Sequence, residues 1–497
     1  MRILMASSEV EPFAKTGGLA DVCGALPREL ERLGHEVIVF LPAYRAVRRC
    51  NCPITPTDIE FAVPVGSKLV TGRLLESRLP NSNVVVYLVE HAGYFDRPEL
   101  YGEHGNDYAD NCERFVFFCR AVLESVRVLD LEIDLIHAND WQTSLLPAYL
   151  KCELGSSYPY ENTASLQTIH NLAYQGRFWH WDMLLTGLDW KYFNWRQMEF
   201  YGQLNLLKGG IAFADAINTV SPTYALEIQS SEQGCGLEAA LQYRGGALSG
   251  ILNGIDTEVW NPTRDPYLSA RYSVKDWKAG KAKNKATLQQ QMGLKVDPQA
   301  PLIGIVGRMA SQKGWNLIVP VIQQWLKSID AQWVVLGTGQ PEYESALMNL
   351  RRGNEDKLAL SLQFSESLAH LIEAGSDLFL MPSQYEPCGL NQMYSMAYGT
   401  VPVVRRTGGL ADTVVDANDA TIARGTATGF SFGAFLPQAL EQALARAICI
   451  FQSNRPSWDK IVERGMQTDW SWQTSAQKYV ELYERTVTLF RAERQNV

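Results

Sequence analysis

Three short stretches put a cation beside glycine where a phosphate could be held. Lys15 precedes TGGLAD at 16–21, the same six letters return at 407–412 directly after Arg406, and GRMASQKG at 307–314 carries Arg308 and Lys313. Glycine lets a ligand approach the backbone closely, and the unpaired N–H groups of a helix start attract an anion. Lys15 with Gly17 and Gly18 therefore reads as a diphosphate cradle. Asp21 falls one turn into the helix, where a carboxylate favours the dipole or bonds a ligand hydroxyl. Thr407 and Gly408 open a second turn of the same kind. Arg308 and Lys313 follow the apolar run LIGIV, and ligands of open α/β sheets bind just beyond such strands. Each stretch alone also has a plainer reading: a tight turn opening a helix for the glycine pairs, solvated surface charge for the two cations. LGTGQPE at 336–342 lacks the third glycine of a dinucleotide fingerprint and reads as a turn, not an NAD site.

These residues need strand ends and helix starts to hold them. Short runs rich in Val, Ile and Leu alternate with amphipathic stretches, the pattern of buried parallel strands joined by crossover helices. The first half holds RILMAS, HEVIVFL, NVVVYLV, IDLIHA, SLQTIH and DAINTVS; after the Lys-rich KDWKAGKAKNKATLQQQ the pattern restarts with PLIGIVG, AQWVVLG, LALSLQF, DLFLMPS and TVPVVRR. The restart predicts two α/β domains with a hinge around residues 250–300; one sheet continuing through that stretch is the alternative. The tail places Ala476, Tyr479, Leu482, Tyr483 and Val487 at helical spacing and predicts a long closing helix.

At 497 residues the chain is too long for one compact core. With 46% hydrophobic and 20% charged residues it has an ordinary globular composition. A formal net charge of -9 argues against broad nucleic-acid binding, so an anionic ligand must meet a local cationic cluster. The 13 Trp, 21 Tyr and 18 Phe would serve sugar stacking or core packing equally well. Nine scattered cysteines form no repeated Cys-x-x-Cys, which disfavours a disulfide framework or a structural zinc site and suits a reducing compartment. MRILMASSEVEPF lacks the apolar stretch of a signal peptide, and no run reaches the roughly 18 apolar residues of a membrane helix. The expectation is a cytoplasmic enzyme, or a plastid one whose transit peptide is missing, with neither membrane nor nucleic acid as partner.

KTGGLADV at 15–22, HANDWQTSLLPAYL at 137–150, TIHNLAYQG at 168–176, GILNGIDTEVWNP at 250–262, GRMASQKG, and EPCGLNQMYSMAYGTVPVVRRTGGLADTV at 386–414 occur in one order over essentially the whole chain. In this they resemble the bacterial glycogen synthases and plant starch synthases, glycosyltransferase family 5. The resemblance implies a GT-B fold: two Rossmann-like domains, 1–255 on the acceptor side and 256–470 for the nucleotide-sugar, facing a central cleft, with 471–497 crossing back to the first. It implies retaining transfer of glucose from ADP-glucose to the non-reducing end of an α-1,4-glucan. Substrates are then ADP-glucose and glucan chains, with no cofactor and no metal. The oligomeric state stays open, as does glycogen against starch.

Carried over residue by residue, the resemblance puts Lys15, Gly17 and Gly18 on the donor diphosphate, Asp21 on the nucleotide-sugar, and Arg308 and Lys313 in a cationic clamp. Glu386 would bond the donor glucose and balance positive charge on its ring, with Cys388, Gly389 and Leu390 following into the sugar pocket. Asp140, Trp141, His170 and Asn253 would line the acceptor side and the sugar pocket. His170 by itself could be a core histidine satisfied by backbone, and Cys388 a small buried apolar residue. Phe364 would stack on adenine. This chain departs from the family at Asn139 and Gln142, where histidines are common, at Asn391, where Thr is usual, and at Gln363, a frequent glycine position. Tyr394 stands near the place of the second Glu of related Glu-x7-Glu transferases.

The sequence contains no Asp-x-Asp, which fits a leaving diphosphate stabilised by Arg and Lys instead of a metal. No confident second acid pairs with Glu386 in the manner of retaining glycosidases. The mechanism expected is same-face substitution through a short-lived oxocarbenium-like ion pair, the donor phosphate taking the acceptor's proton. The alternatives are a UDP-glucose-dependent GT-B transferase and a catalytically silent glucan-binding protein.

Overall fold

Strands buried on both faces need continuous apolar runs, and in the first half of the chain these runs become a parallel sheet. The computed structural model describes residues 1–495. Its strands β1 (Arg2–Ala6), β2 (Glu36–Pro42), β3 (Thr55–Val65), β4 (Lys68–Arg78), β5 (Val85–Glu90), β6 (Leu135–Asn139), β7 (Ala164–Ile169), β8 (Ala216–Thr219) and β9 (Leu248–Gly250) lie in the order β9-β8-β7-β6-β1-β2-β5-β4-β3. Pairing is parallel from β9 to β5, then antiparallel through β4 and β3. That last hairpin has no apolar run to announce it. β3 alternates exposed and buried residues over its second half and carries Pro56 and Pro64, which an edge strand tolerates.

In the second half β10 (Leu302–Val306), β11 (Gln332–Leu336), β12 (Leu358–Ser361), β13 (Leu378–Met381), β14 (Val401–Arg405) and β15 (Phe430–Phe432) form a parallel sheet in the order β12-β11-β10-β13-β14-β15. The helices that matter below are α1 (Gly18–Arg32), α2 (Asn111–Val128), α3 (Trp277–Gln291), α4 (Trp315–Ser328), α5 (Glu366–Gly375), α6 (Asn391–Ala397), α7 (Gly408–Thr413) and α8 (Trp472–Gln495). The chain divides into two units. Met1–Asn253 with the chain from Trp472 onward makes the first, and Gly254–Ser471 the second.

Two features depend on packing more than on local pattern. The Lys-rich stretch in the expected hinge region is α3, an internal helix of the second unit packed against α5. Two of its lysines are internal ties: Lys281 Nζ donates to Thr400 Oγ1 at 2.6 Å and Ala374 O at 3.0 Å, and Lys285 Nζ meets Asp377 Oδ2 at 2.7 Å. Burial pushes the Lys281 pKa down to about 7. The closing helix α8 packs on α1 and β7, burying Ala476, Tyr479, Leu482, Tyr483 and Val487. Among the described residues no helix is long and apolar enough to cross a membrane.

Candidate active site

In an open parallel sheet a crevice forms where strand order reverses, outside the carboxyl ends of the two strands concerned. In the second unit the reversal lies between β10 and β13. Arg308 leaves β10, Glu386 leaves β13, and Lys313 ends a single 3-10 turn just before α4. Arg308, Lys313, Ser383, Glu386, Gly389 and Leu390 line one cavity of about 200 Å³. Inside it Lys313 Nζ meets Glu386 Oε2 at 2.6 Å, and Ser383 Oγ donates to the same oxygen at 2.9 Å. The Glu386 side chain is only 8% exposed. Among the described residues the Arg308 guanidinium has no partner; its carbonyl accepts from Trp315 Nε1 at 2.9 Å, which fixes the backbone and leaves the cation exposed. A sheltered carboxylate, a cation paired to it and a second cation at the rim suit a bond that breaks into an anion and a cation.

The second TGGLAD stands behind this cavity. Gly408 has φ +44°, and a Cβ there would lie 2.0 Å from Glu386 O; one on Gly409 would lie 2.1 Å from Cys388 O. Gly409 N–H donates to Glu386 O at 3.2 Å, and Thr407 is buried. These glycines let α7 press against the backbone that carries Glu386. Cys388 is buried, its carbonyl accepting from Gln392 Nε2 at 3.2 Å. Tyr394 stacks on Trp260 with centroids 3.8 Å apart. Phe364, beyond the end of β12, is 92% exposed and outside the cavity lining.

In the first unit strand order reverses between β1 and β6, and the first TGGLAD follows β1. Its glycines have no such packing cause: a Cβ on Gly17 or Gly18 would meet nothing within 4 Å. The loop is held by Glu9, a buried residue whose carboxylate accepts from Thr16 N and Thr16 Oγ1 at 2.6 Å, Gly17 N at 3.1 Å and Tyr101 OH at 2.9 Å. Lys15 Nζ pairs with Asp21 Oδ1 at 2.6 Å and lies 3.8 Å from Glu11 Oε2. Lys15 and Asp21, assigned separate ligand roles from the sequence, are thus joined in one partly exposed ion pair.

Asp140 leaves β6 with φ 56°, ψ -175°, a conformation that side chains rarely adopt and that marks a constrained position. Its Oδ1 accepts the His170 N–H at 2.7 Å. Burial pushes its pKa up to about 7; the His170 and Asn171 N–H groups pull the other way, and the charge of Glu9 adds to the rise. His170, after β7, is held through Nε2 by Asn139 Oδ1 at 2.9 Å. Asn139 Nδ2 donates to Ala6 O at 3.1 Å, which turns Oδ1 toward the imidazole. The ring proton therefore sits on Nε2, and Nδ1 presents a lone pair with no partner among the described residues. Burial lowers the His170 pKa to about 3, so the ring is neutral.

His137 contrasts with it, having both nitrogens engaged, by Tyr483 OH at 2.9 Å and Thr168 Oγ1 at 2.7 Å. Trp141 lies next to Asp140, but packing takes up its ring: Phe115 and Phe178 meet it edge-on, with centroids at 4.9 and 5.6 Å. Asn253 is buried with its Oδ1 unpartnered among the described residues.

In the second unit Arg308, Lys313, Glu386, Gly389 and Leu390 meet at the switch point while Phe364 stands apart; in the first, Asp140 and His170 lie together at adjacent strand ends, and Asn253 follows the edge strand β9. Sequence reasoning missed Glu9 and Ser383 and took Asn139 only as a departure. Glu9 lies in SSEVEPF and Ser383 in MPSQYEP, where no spacing marks either. Asn139, one residue before Asp140, could have been found by asking what orients a histidine at the next strand end.

A sequence profile described as "Starch synthase catalytic domain" matches residues 2–243, and one described as "Glycosyl transferases group 1" matches 289–465. A glycogen synthase from Rhodopirellula baltica is 47% identical, covering 99% of both chains. One from Syntrophotalea carbinolica is 46% identical, over 99% of this chain and all of that one. Among solved structures, the catalytic domain of starch synthase IV from Arabidopsis thaliana, bound to ADP and acarbose, superposes with TM-score 0.89 at 34% identity over 98% of this chain and 99% of its own. A sucrose-phosphate synthase from Thermosynechococcus elongatus, at TM-score 0.58 and 18% identity over 99% of each chain, shares the fold.

Proposed function

The chain belongs to the starch and glycogen synthase family of GT-B glucosyltransferases, and from that premise we propose that it moves glucose from ADP-glucose to the non-reducing end of an α-1,4-glucan, with retention, releasing ADP. The observation that carries this reading is the convergence of Arg308, Lys313 and Glu386 on one cavity at a sheet switch point. As the bond from the anomeric carbon to phosphate lengthens, negative charge collects on the departing diphosphate. Arg308 and Lys313 are the cations that receive it, and within the first unit Lys15 and the Gly17–Gly18 backbone form an anion cradle of their own. Fixed charges of this kind act without reorganising during the reaction.

Glu386 has the opposite task. Its carboxylate steadies the positive charge that grows on the glucose ring, and the leaving phosphate, on the same face, takes the proton of the incoming hydroxyl. His170 Nδ1 accepts from a hydroxyl of the transferred glucose, Asp140 holds the His170 backbone in place, and Phe364 stacks on the adenine. Cys388, Gly389, Leu390, Thr407 and Gly408 shape the turn that carries Glu386. Trp141, packed against Phe115 and Phe178, and Asn253, whose Oδ1 is unpartnered among the described residues, belong to the acceptor side. Asp21 shares Lys15 with the donor. The reading needs neither metal nor cofactor, and a bacterial cytoplasm suits it.

Labelled ADP-glucose and UDP-glucose, each supplied with glycogen, test the proposal. Incorporation from ADP-glucose should dominate and persist in chelator. Glu386→Ala should lower kcat by about 10²–10³ or more, the scale of losing one preorganised electrostatic contact. A preference for UDP-glucose, or an unimpaired Glu386→Ala, would overturn it.

A further inference from the structure

Asn139 closes β6 beside the point where His170 leaves β7, and it is wholly buried. Its amide admits one orientation. Nδ2 lies 3.1 Å from Ala6 O and 3.4 Å from His137 O, two carbonyl acceptors that an amide oxygen would oppose. Thr143 pins the backbone, its Oγ1 accepting from Asn139 N at 2.6 Å and donating to Asn139 O at 2.8 Å. Oδ1 is thereby aimed at His170 Nε2, 2.9 Å away.

An amide oxygen only accepts, so Asn139 can meet His170 in one way, with the ring proton on Nε2. His137 shows the difference within this chain. Both of its nitrogens meet hydroxyls, Tyr483 OH and Thr168 Oγ1, and a hydroxyl serves as donor or acceptor, so these neighbours leave its tautomer open. A histidine at position 139 would leave the His170 tautomer open for the same reason, since an imidazole nitrogen accepts or donates according to its own proton. His170 is held by its main chain as well, through the N–H to Asp140 Oδ1 at 2.7 Å. Ring and backbone are thus fixed from one strand end. Burial keeps the ring neutral, its pKa lowered to about 3, so Nδ1 offers a lone pair and no proton.

We propose that Asn139 is a positioning residue that sets sugar specificity: by holding His170 as a pure acceptor at Nδ1, it makes the site demand a hydrogen-bond donor there. The inference rests on the assignment of His170 to a hydroxyl of the transferred glucose. A hydroxyl can turn to donate. Fluorine, an ether oxygen or a carboxylate presents lone pairs alone and opposes that of Nδ1, and a site built to bond a hydroxyl rejects the analogue that cannot pair with it.

Nitrogen NMR of isotope-labelled histidine in the free protein reads the tautomer, with His170→Gln assigning the signal among the seven histidines. Wild type should carry the proton on Nε2 alone, and Asn139→Leu, of nearly equal size, and Asn139→Ala should both show mixed tautomers. Calorimetric binding of ADP-glucose and its monofluorinated glucose analogues, without glucan, reads the specificity. At the hydroxyl whose fluorine penalty disappears in His170→Gln, wild type should bind the analogue about tenfold more weakly, and the Asn139 variants only about twofold. A wild-type proton on Nδ1 would overturn the proposal even if neither variant folds. So would folded Asn139 variants that keep one tautomer and the full penalty, and with normal glucose transfer that result would sink this inference alone. An Asn139-dependent tautomer in a protein that does not bind ADP-glucose would sink the proposed reaction, and the sugar specificity with it.

Discussion

At the scale of single residues, one hexapeptide does two jobs. In the first TGGLAD the glycines face open space, and only a ligand would need the missing side chains; in the second they are pressed against the Glu386–Cys388 backbone. Gly18→Ala should therefore keep the melting temperature, since alanine also favours a helix start, and raise the KM for the sugar-nucleotide. Gly408→Ala should destabilise the protein by roughly 1–3 kcal/mol, because it combines an unfavourable backbone conformation with a clash that flexible side chains cannot relieve. Thermal melts of the two variants, read beside donor kinetics, check both. The residue types and order were legible in the sequence. The difference between the copies was not, because it depends on which distant backbone lies against each one.

At the scale of elements, the strand ends were legible and the ties between them were not. α8 closes the first unit through two phenols: Tyr483 OH on His137 Nδ1, and Tyr479 OH on Asn218 Nδ2 at 3.1 Å. Heptad-like spacing in the tail announced an amphipathic helix, but a buried tyrosine's partner lies hundreds of residues away and has no local signature. Tyr483→Phe leaves that imidazole nitrogen buried and unpaired, so it should lower stability by about 1–3 kcal/mol. Urea unfolding would show the loss, and kcat under native conditions should be unaffected. The β3–β4 hairpin and the three-residue strands β9 and β15 escaped the pattern for a different reason: an edge strand is half solvated, and three residues make no period. The Lys-rich stretch has no apolar stripe to announce a buried face, yet Lys281 and Lys285 of α3 are internal donors.

At the scale of the whole molecule, buried titratable groups make stability depend on pH with opposing signs. Burial lowers His137 and His170 to about 3, so the unfolded chain takes up protons first as pH falls below about 6.5. Their contribution is present above that value and is lost progressively on acidification toward pH 3. Asp140, raised to about 7, behaves oppositely. It stays protonated in the folded protein where the unfolded chain has already released the proton, so its contribution falls as pH rises from about 4 to 7. Replacing it by asparagine removes that loss. The stability of Asp140→Asn relative to wild type should improve by roughly 2–3 kcal/mol between pH 5 and pH 8. Urea midpoints at the two pH values measure it, and a constant difference would contradict the buried, proton-holding carboxylate.

The sequence by itself determined two α/β halves, a closing helix and the class of chemistry. Buried strands, helix starts and cation–glycine stretches are local patterns, and several long motifs in one order identify a glucosyltransferase. Only the tertiary structure decided which of His137 and His170 keeps a ring nitrogen unpartnered among the described residues, which glycine pair faces open space, and that Glu9 and Asn139 hold the groups beside them. Those outcomes depend on hydrogen-bond geometry and contact between segments far apart in the chain, and short-range sequence pattern carries no record of them.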